Sequence, residues 1–243
     1  MIKNNIHLLF VGLLVLGCGG SGDTLNTEAT SESDSGAIAP TEPADSTAST
    51  EVASTTAQST ADAPMADPTV IPGEKFGSVT SNTSRQALEE LFDTVVLSDE
   101  AVDVGEGMTQ AATRVDLGDS YSFTVVWADA SQTVPLEVRN IGSGWIMPEG
   151  IQIGTSFSEL QSILGEFELF GLGWDYGGTL MLDNTSLDDY KEMMFVRLRP
   201  DTQAQTAHPG ALEAVMGDQL YDSNNPNFEQ LEMSVSEIVV MLN

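Results

Sequence analysis

One uninterrupted stretch decides how much of this chain can fold. From position 19 to position 72, 46 of the 54 residues are Ser, Thr, Ala, Pro, Gly, Asp or Glu, and none is aromatic. Such a segment cannot bury enough apolar surface to offset the entropy of ordering it, so a disordered tether is expected over residues 18–72. As a coil it would measure about 40 Å end to end, and fully extended about 180 Å. Pro72 and Gly73 mark its end and leave residues 73–243 to build a core. A domain of that size buries roughly 70% of its unfolded surface and needs no staple to fold. None is offered within one chain, because Cys18 is the only cysteine.

Charge narrows the partners. The whole chain carries 37 acids against 8 bases, and residues 73–243 keep 28 acids against seven bases, a balance of −21. Nucleic acid is excluded as a partner, since binding it requires cations that displace phosphate counterions. An anionic bilayer surface would repel the domain as well. Two readings of the acidity remain: a cationic partner or Ca²⁺, or carboxylates that only hydrate the surface and keep copies apart.

The N-terminal segment has its own pattern. Lys3 precedes a run at positions 8–16 that is apolar throughout except for Gly12. Nine residues are too few to span a hydrocarbon core of about 30 Å as a helix, but they suit the h-region of a signal peptide. Val15, Leu16, Gly17 and Cys18 follow. This closely resembles the lipobox of bacterial lipoproteins, which implies that residues 1–17 are a leader, that it is cut before Cys18, and that the Cys18 thiol receives a diacylglyceryl group. Several acyl chains, at about 0.8 kcal/mol per buried methylene, anchor firmly where one chain would be marginal. No Asp stands beside the cysteine, which under the same resemblance implies onward transport to the outer membrane. The expected location is therefore the cell envelope, with the folded part held on a lipid tether at the periplasmic or surface face.

Within the domain one pattern recurs at an offset of 72 residues, at 79–92 and 151–165. Each copy has a Thr-Ser pair (Thr83-Ser84 and Thr155-Ser156) before apolar residues spaced i, i+3, i+4: Leu88, Leu91, Phe92 and Leu160, Ile163, Leu164. That spacing predicts two short amphipathic helices. Thr83 with Gln86 and Ser156 with Glu159 fit capping boxes, and Gly165 fits a C-cap. Elsewhere the period becomes two. Strands are expected over 121–127 (half-buried, after a turn at Gly118-Asp119), 133–141, 192–199 and 234–242, and two more within 166–183 around Gly177-Gly178. The expectation is an α+β domain of two similar halves, each a short helix followed by antiparallel strands. Gly154, Thr155 and Ser156 leading to Leu164-Gly165 resemble the tandem helix-plus-sheet repeats of the beta-lactamase-inhibitor protein and of small outer-membrane-assembly lipoproteins. The run from Gly171 to Thr179 resembles exported bacterial domains of unassigned function. Both resemblances imply an extracytoplasmic binding module and supply no catalytic residue.

The chemistry-bearing side chains are few. His7 falls in the leader, which leaves His208, set in a Pro-Gly turn sequence where an exposed loop is expected. No Cys/His set for zinc, nucleophile elbow or phosphate loop is present, so neither a metal nor a cofactor is expected. The oxygen-rich run from Asp183 to Asp189 suits a hard cation but lacks the order and the distal Glu of an EF-hand, so a polar hairpin loop is expected there. The candidate ligand-binding residues are Trp174, Asp175 and Tyr176, in a glycine-rich loop. Two readings fit them. The rings stack on a sugar or peptide that Asp175 hydrogen-bonds, or they pack one face of a strand while Asp175 faces solvent. The expected function is a non-enzymatic module for an envelope protein or other ligand. The alternative is a carboxylate-dependent hydrolase of glycan or peptide.

Overall fold

The computed structural model describes residues 68–105 and 107–242; Cys18, the leader and nearly all of the expected tether lie outside them. The chain forms β1 (Val70–Ile71), β2 (Lys75–Phe76), β3 (Val79–Thr80), α1 (Arg85–Phe92), β4 (Leu97–Asp103), β5 (Thr109–Val115), β6 (Phe123–Trp127) and β7 (Pro135–Arg139). Then follow α2 (Phe157–Leu164), β8 (Glu168–Phe170), β9 (Leu180–Met181), β10 (Met194–Arg199), α3 (Thr202–Ala207), α4 (Pro209–Ala214), β11 (Leu220–Asp222), α5 (Pro226–Gln230) and β12 (Ser234–Met241). The fold is α+β with antiparallel strand pairing throughout its named strands. The first strand among the described residues, Val70–Ile71, pairs with β2 and lies on the tether side of the boundary expected at Pro72-Gly73.

Segments 79–92 and 151–165 share several local features. Helices α1 and α2 are related by the 72-residue offset, and Leu88 and Leu160 are each wholly buried. Ahead of each helix a threonine hydroxyl closes a turn: Thr83 Oγ1 accepts from Thr80 N–H at 2.9 Å, and Thr155 Oγ1 accepts from Gln152 N–H at 3.0 Å. Thr83 is thereby engaged, and Ser84 caps α1 instead, accepting from Ala87 N–H. The expected Thr83–Gln86 box is corrected accordingly, whereas Ser156 and Glu159 form the expected box on α2. After each helix the chain takes a positive φ, at Asp93 (67°) and Gly165 (76°).

α1 leads into four strands, β4 to β7, and α2 into five, β8 to β12. β4 to β7 form a meander, and β12 pairs with β7 (Val240 opposite Val138) to bring the second half alongside the first. The resulting six-stranded sheet runs β10-β12-β7-β6-β5-β4, and a smaller sheet runs β11-β8-β9. A bridge between Thr179 and Arg197 joins β9 to β10, so β8, β9, β10 and β12 mirror the order of the first four. At that joint Gly178 has φ +77°, and a Cβ there would lie 2.2 Å from the Leu198 carbonyl oxygen. Only glycine lets the two strands approach.

One face of the sheet carries Val115, Phe123, Val125, Val138, Val196, Leu198 and Ile238 into the main core. Phe76 stacks at 4.4 Å from Trp145 and 5.1 Å from Phe123, which fastens the β1–β3 sheet to that face. β6 departs from expectation. It is buried on both faces rather than alternating, with Thr124 and Val126 as inaccessible as Phe123 and Val125.

Candidate functional site

The loop joining β8 to β9 is held from both sides at its base. Leu172 N–H donates to Val215 O (2.8 Å), Gly217 N–H returns a bond to Leu172 O (3.0 Å), and Gly171 N–H donates to Gln219 O (2.9 Å). Gly178 N–H donates to Phe170 O (3.0 Å) and Leu198 N–H to Gly178 O (2.9 Å). Its tip is closed by turns from Gly177 N–H to Trp174 O (2.8 Å) and from Thr179 N–H to Tyr176 O (3.0 Å). A pinned loop thus presents Trp174, Asp175 and Tyr176.

Neither ring packs into the core. Trp174 is 67% exposed and Tyr176 65% exposed, whereas Trp127 and Trp145 are fully buried. The strand-packing reading is therefore corrected: the chain turns over at 174–177, so these residues never join the pleat that would carry them inward. Tyr176 leans on Phe170 with ring centroids 5.9 Å apart. Asp175 is exposed and lines neither of the clefts beside the loop. A general acid in glycoside hydrolysis is a carboxyl set in an apolar surround, and Asp175 stands in solvent.

Trp174 and Tyr176 border two clefts that meet at Arg197. On the Tyr176 side a cleft of 580 Å³ is floored by Leu180, Phe195 and Val239 and edged by Arg139, Lys191 and Arg197. On the Trp174 side a cleft of 520 Å³ is lined by Arg199, Thr202, Gln205 and Met216 and by no acidic side chain. Four of the seven cations in residues 73–243 therefore line one or other of these two clefts of a strongly acidic domain.

Three of those four are paired. Arg139 Nη2 lies 2.6 Å from Glu137 Oε1, an ion pair whose angles make no hydrogen bond, since buried Glu137 Oε1 and Arg139 Nε are both left without one. Arg197 pairs with Glu237 at 3.2 Å and donates from Nε to Thr179 Oγ1. Lys191 lies 3.0 Å from Asp183 and 3.3 Å from Asp188, and hydrogen bonds to the two carboxylates raise its pKa. Those carboxylates belong to the oxygen-rich run considered for Ca²⁺, and the Lys191 ammonium sits where they converge. Arg199 makes no ion pair among the described residues.

Phe195, Arg197, Arg199 and Met216 also line these clefts, and the sequence patterns above did not single them out. Two signals pointed to them. In β10 the residues Phe195, Arg197 and Arg199 alternate with buried Met194, Val196 and Leu198, and two of the chain's few cations stand among the outward positions. His208, between α3 and α4, is exposed, in keeping with its turn sequence. Among the described residues there is no group of three or more His, Cys, Asp or Glu side chains able to hold a metal ion, and no helix is long and apolar enough to cross a membrane.

The chain matches no known protein family and no curated protein. Among solved structures it is similar to the uncharacterized protein YfeY from Escherichia coli, at 15% identity and a TM-score of 0.44, over 71% of this chain and 99% of that one.

Proposed function

We propose that this protein is a lipid-anchored binding module of the cell envelope that engages its ligand through the Trp174–Tyr176 loop and the clefts on either side of it. The observation that carries the reading is the pair of exposed aromatic rings on a backbone-pinned loop, with Phe195 (48% exposed) and Met216 (44% exposed) beside them. Aromatic residues, Met and Arg are the types enriched in the buried centres of interfaces. Tyr176 and Phe195 line one cleft, and Trp174 and Met216 line the other. Rigid presentation lowers the ordering cost on binding, because a loop already fixed by its hydrogen bonds has little entropy left to lose. The Cys18 lipobox and the low-complexity tether support placing the module outside the cytoplasm, and the repeat resemblance supports binding rather than catalysis.

Two experiments test this. Cells fed a clickable fatty acid should label the protein, and Cys18→Ser should abolish the label; an unlabelled protein recovered with cytosolic contents would refute the anchoring. Capture of partners from crosslinked cells should recover a specific set with the natural protein and lose it with Trp174→Ala plus Tyr176→Ala. Equal recovery by both proteins would remove the loop from the account.

A further inference from the structure

Resting on the reading of the loop as a binding surface, the geometry points to the Trp174-side cleft as a site for a carboxylate-bearing sugar, with the pyranose ring on the Trp174 face and its carboxylate on Arg199. The first reason is charge. Residues 73–243 hold 28 acids, yet none lines this cleft, while Arg199 points no bond at any described residue. An exposed guanidinium without an acid partner, in a domain this acidic, is available for an external carboxylate, which it can grip with two parallel N–H donors.

The second reason is the set of uncommitted polar groups around it. Gln205 donates from Nε2 to Pro200 O at 3.1 Å, which leaves its amide oxygen free to accept. The Thr202 hydroxyl makes no hydrogen bond among the described residues. An acceptor, a hydroxyl and a guanidinium lining one cleft with an indole match a ring bearing several hydroxyls and one acid group better than they match a purely apolar ligand. At 520 Å³ the cleft lies within the roughly 300–1,000 Å³ of small-ligand sites.

The third reason separates this cleft from its neighbour. On the Tyr176 side every cation already faces a carboxylate: Arg139 with Glu137, Lys191 with Asp183, Arg197 with Glu237. An anion there would meet that carboxylate as well as the cation. Only the Trp174 side offers an unshared positive charge.

The test uses trigalacturonate and its fully methyl-esterified counterpart, which keep the same rings and differ in charge. Titration into the purified protein at physiological ionic strength screens the domain's long-range repulsion of anions. Trp174 is the exposed one of three tryptophans, so the part of the emission that acrylamide quenches reports on the site. The expected result is at least roughly ten-fold tighter binding of the acid than of the ester. Arg199→Gln should erase that preference, and Trp174→Leu, followed by calorimetry, should weaken both ligands.

Equal affinity for acid and ester, or a preference that survives Arg199→Gln, overturns the inference. Tri-glutamate binding as tightly as trigalacturonate would show a carboxylate site without ring selectivity and overturns the sugar class. Should neither saccharide bind while Trp174-dependent capture from cells succeeds, the inference falls and the binding-module reading stands.

Discussion

Replacing Thr113 by valine should cost more than any surface substitution, although it removes one hydroxyl and changes the volume little. Trp127 and Thr113 are both fully buried, and the indole Nε1–H donates to Thr113 Oγ1 at 3.0 Å. Valine fills the space but accepts nothing, so a buried donor loses its partner. An unsatisfied donor of this kind costs about 1–3 kcal/mol. For a domain of this size each kcal/mol lowers Tm by about 2–4 °C. The expected loss of about 2 kcal/mol thus appears as a fall of roughly 4–8 °C in a thermal melt followed by circular dichroism. The threonine also donates to Asp99 Oδ1 at 2.7 Å, which receives a second bond from Arg85 Nε at 2.7 Å. Desolvation raises the Asp99 pKa, but the bonds from Arg85 and Thr113 outweigh it and hold the carboxyl below its ordinary value. A carboxylate with a depressed folded pKa adds stability above its unfolded pKa of about 3.9 and loses it as pH falls through the folded value. Thr113→Val removes part of that depression, so its deficit relative to the natural protein should narrow below about pH 4. In a double-mutant cycle, Trp127→Phe should cost less in the valine background than alone, because the orphaned donor is then gone. A Thr113→Val protein within about 0.5 kcal/mol of the natural one, or strict additivity in the cycle, would show that the Trp127–Thr113 bond contributes no such stability.

Gly178→Ala should destabilise by at least about 2 kcal/mol in urea unfolding, since it adds a positive-φ penalty to a clash with the Leu198 carbonyl. Ser156→Ala should cost about 1 kcal/mol, and Ser84→Ala the same, because each deletes an N-cap acceptor. The Ser156 backbone and hydroxyl also hold the Glu159 pKa down, so the loss in Ser156→Ala should shrink on acidification below about pH 4. Trp174→Ala should leave stability within about 0.5 kcal/mol, as expected for an exposed side chain, while removing the acrylamide-quenchable part of the fluorescence; a lower melting temperature would mean the indole packs more than its exposure implies.

What the sequence revealed of this fold follows from where periodicity survives. Helices α1 and α2 were legible because Leu88, Leu91, Phe92 and Leu160, Ile163, Leu164 make one apolar stripe each. Helices α3, α4 and α5 were not, since each spans only five or six residues; Asp201 and Asn225 cap two of them, and Pro209 and Pro226 start two, all types equally at home in turns. Strand β4 was missed because its polar residues at the sheet edge give no alternation. Strand β6 was found, but its two-faced burial was not, because Thr124 reads as an outward position and yet lies between Arg139 and Arg114 in the ladder. At the site, the glycines flagged the loop and its two rings. They could not tell which way the rings point: that depends on the turn at 174–177 and on its anchoring to residues 215–219, more than forty positions downstream.

On the proposed function, the Trp174–Tyr176 loop touches a ligand in intact cells. A photoreactive amino acid placed at Tyr176 tests it directly, with the same group at exposed Glu90 on α1 as the control. On irradiation of intact cells, position 176 should give a discrete species of reduced mobility that position 90 does not, and Trp174→Ala should diminish it. A blank at both positions, or the same pattern from both, would contradict the account.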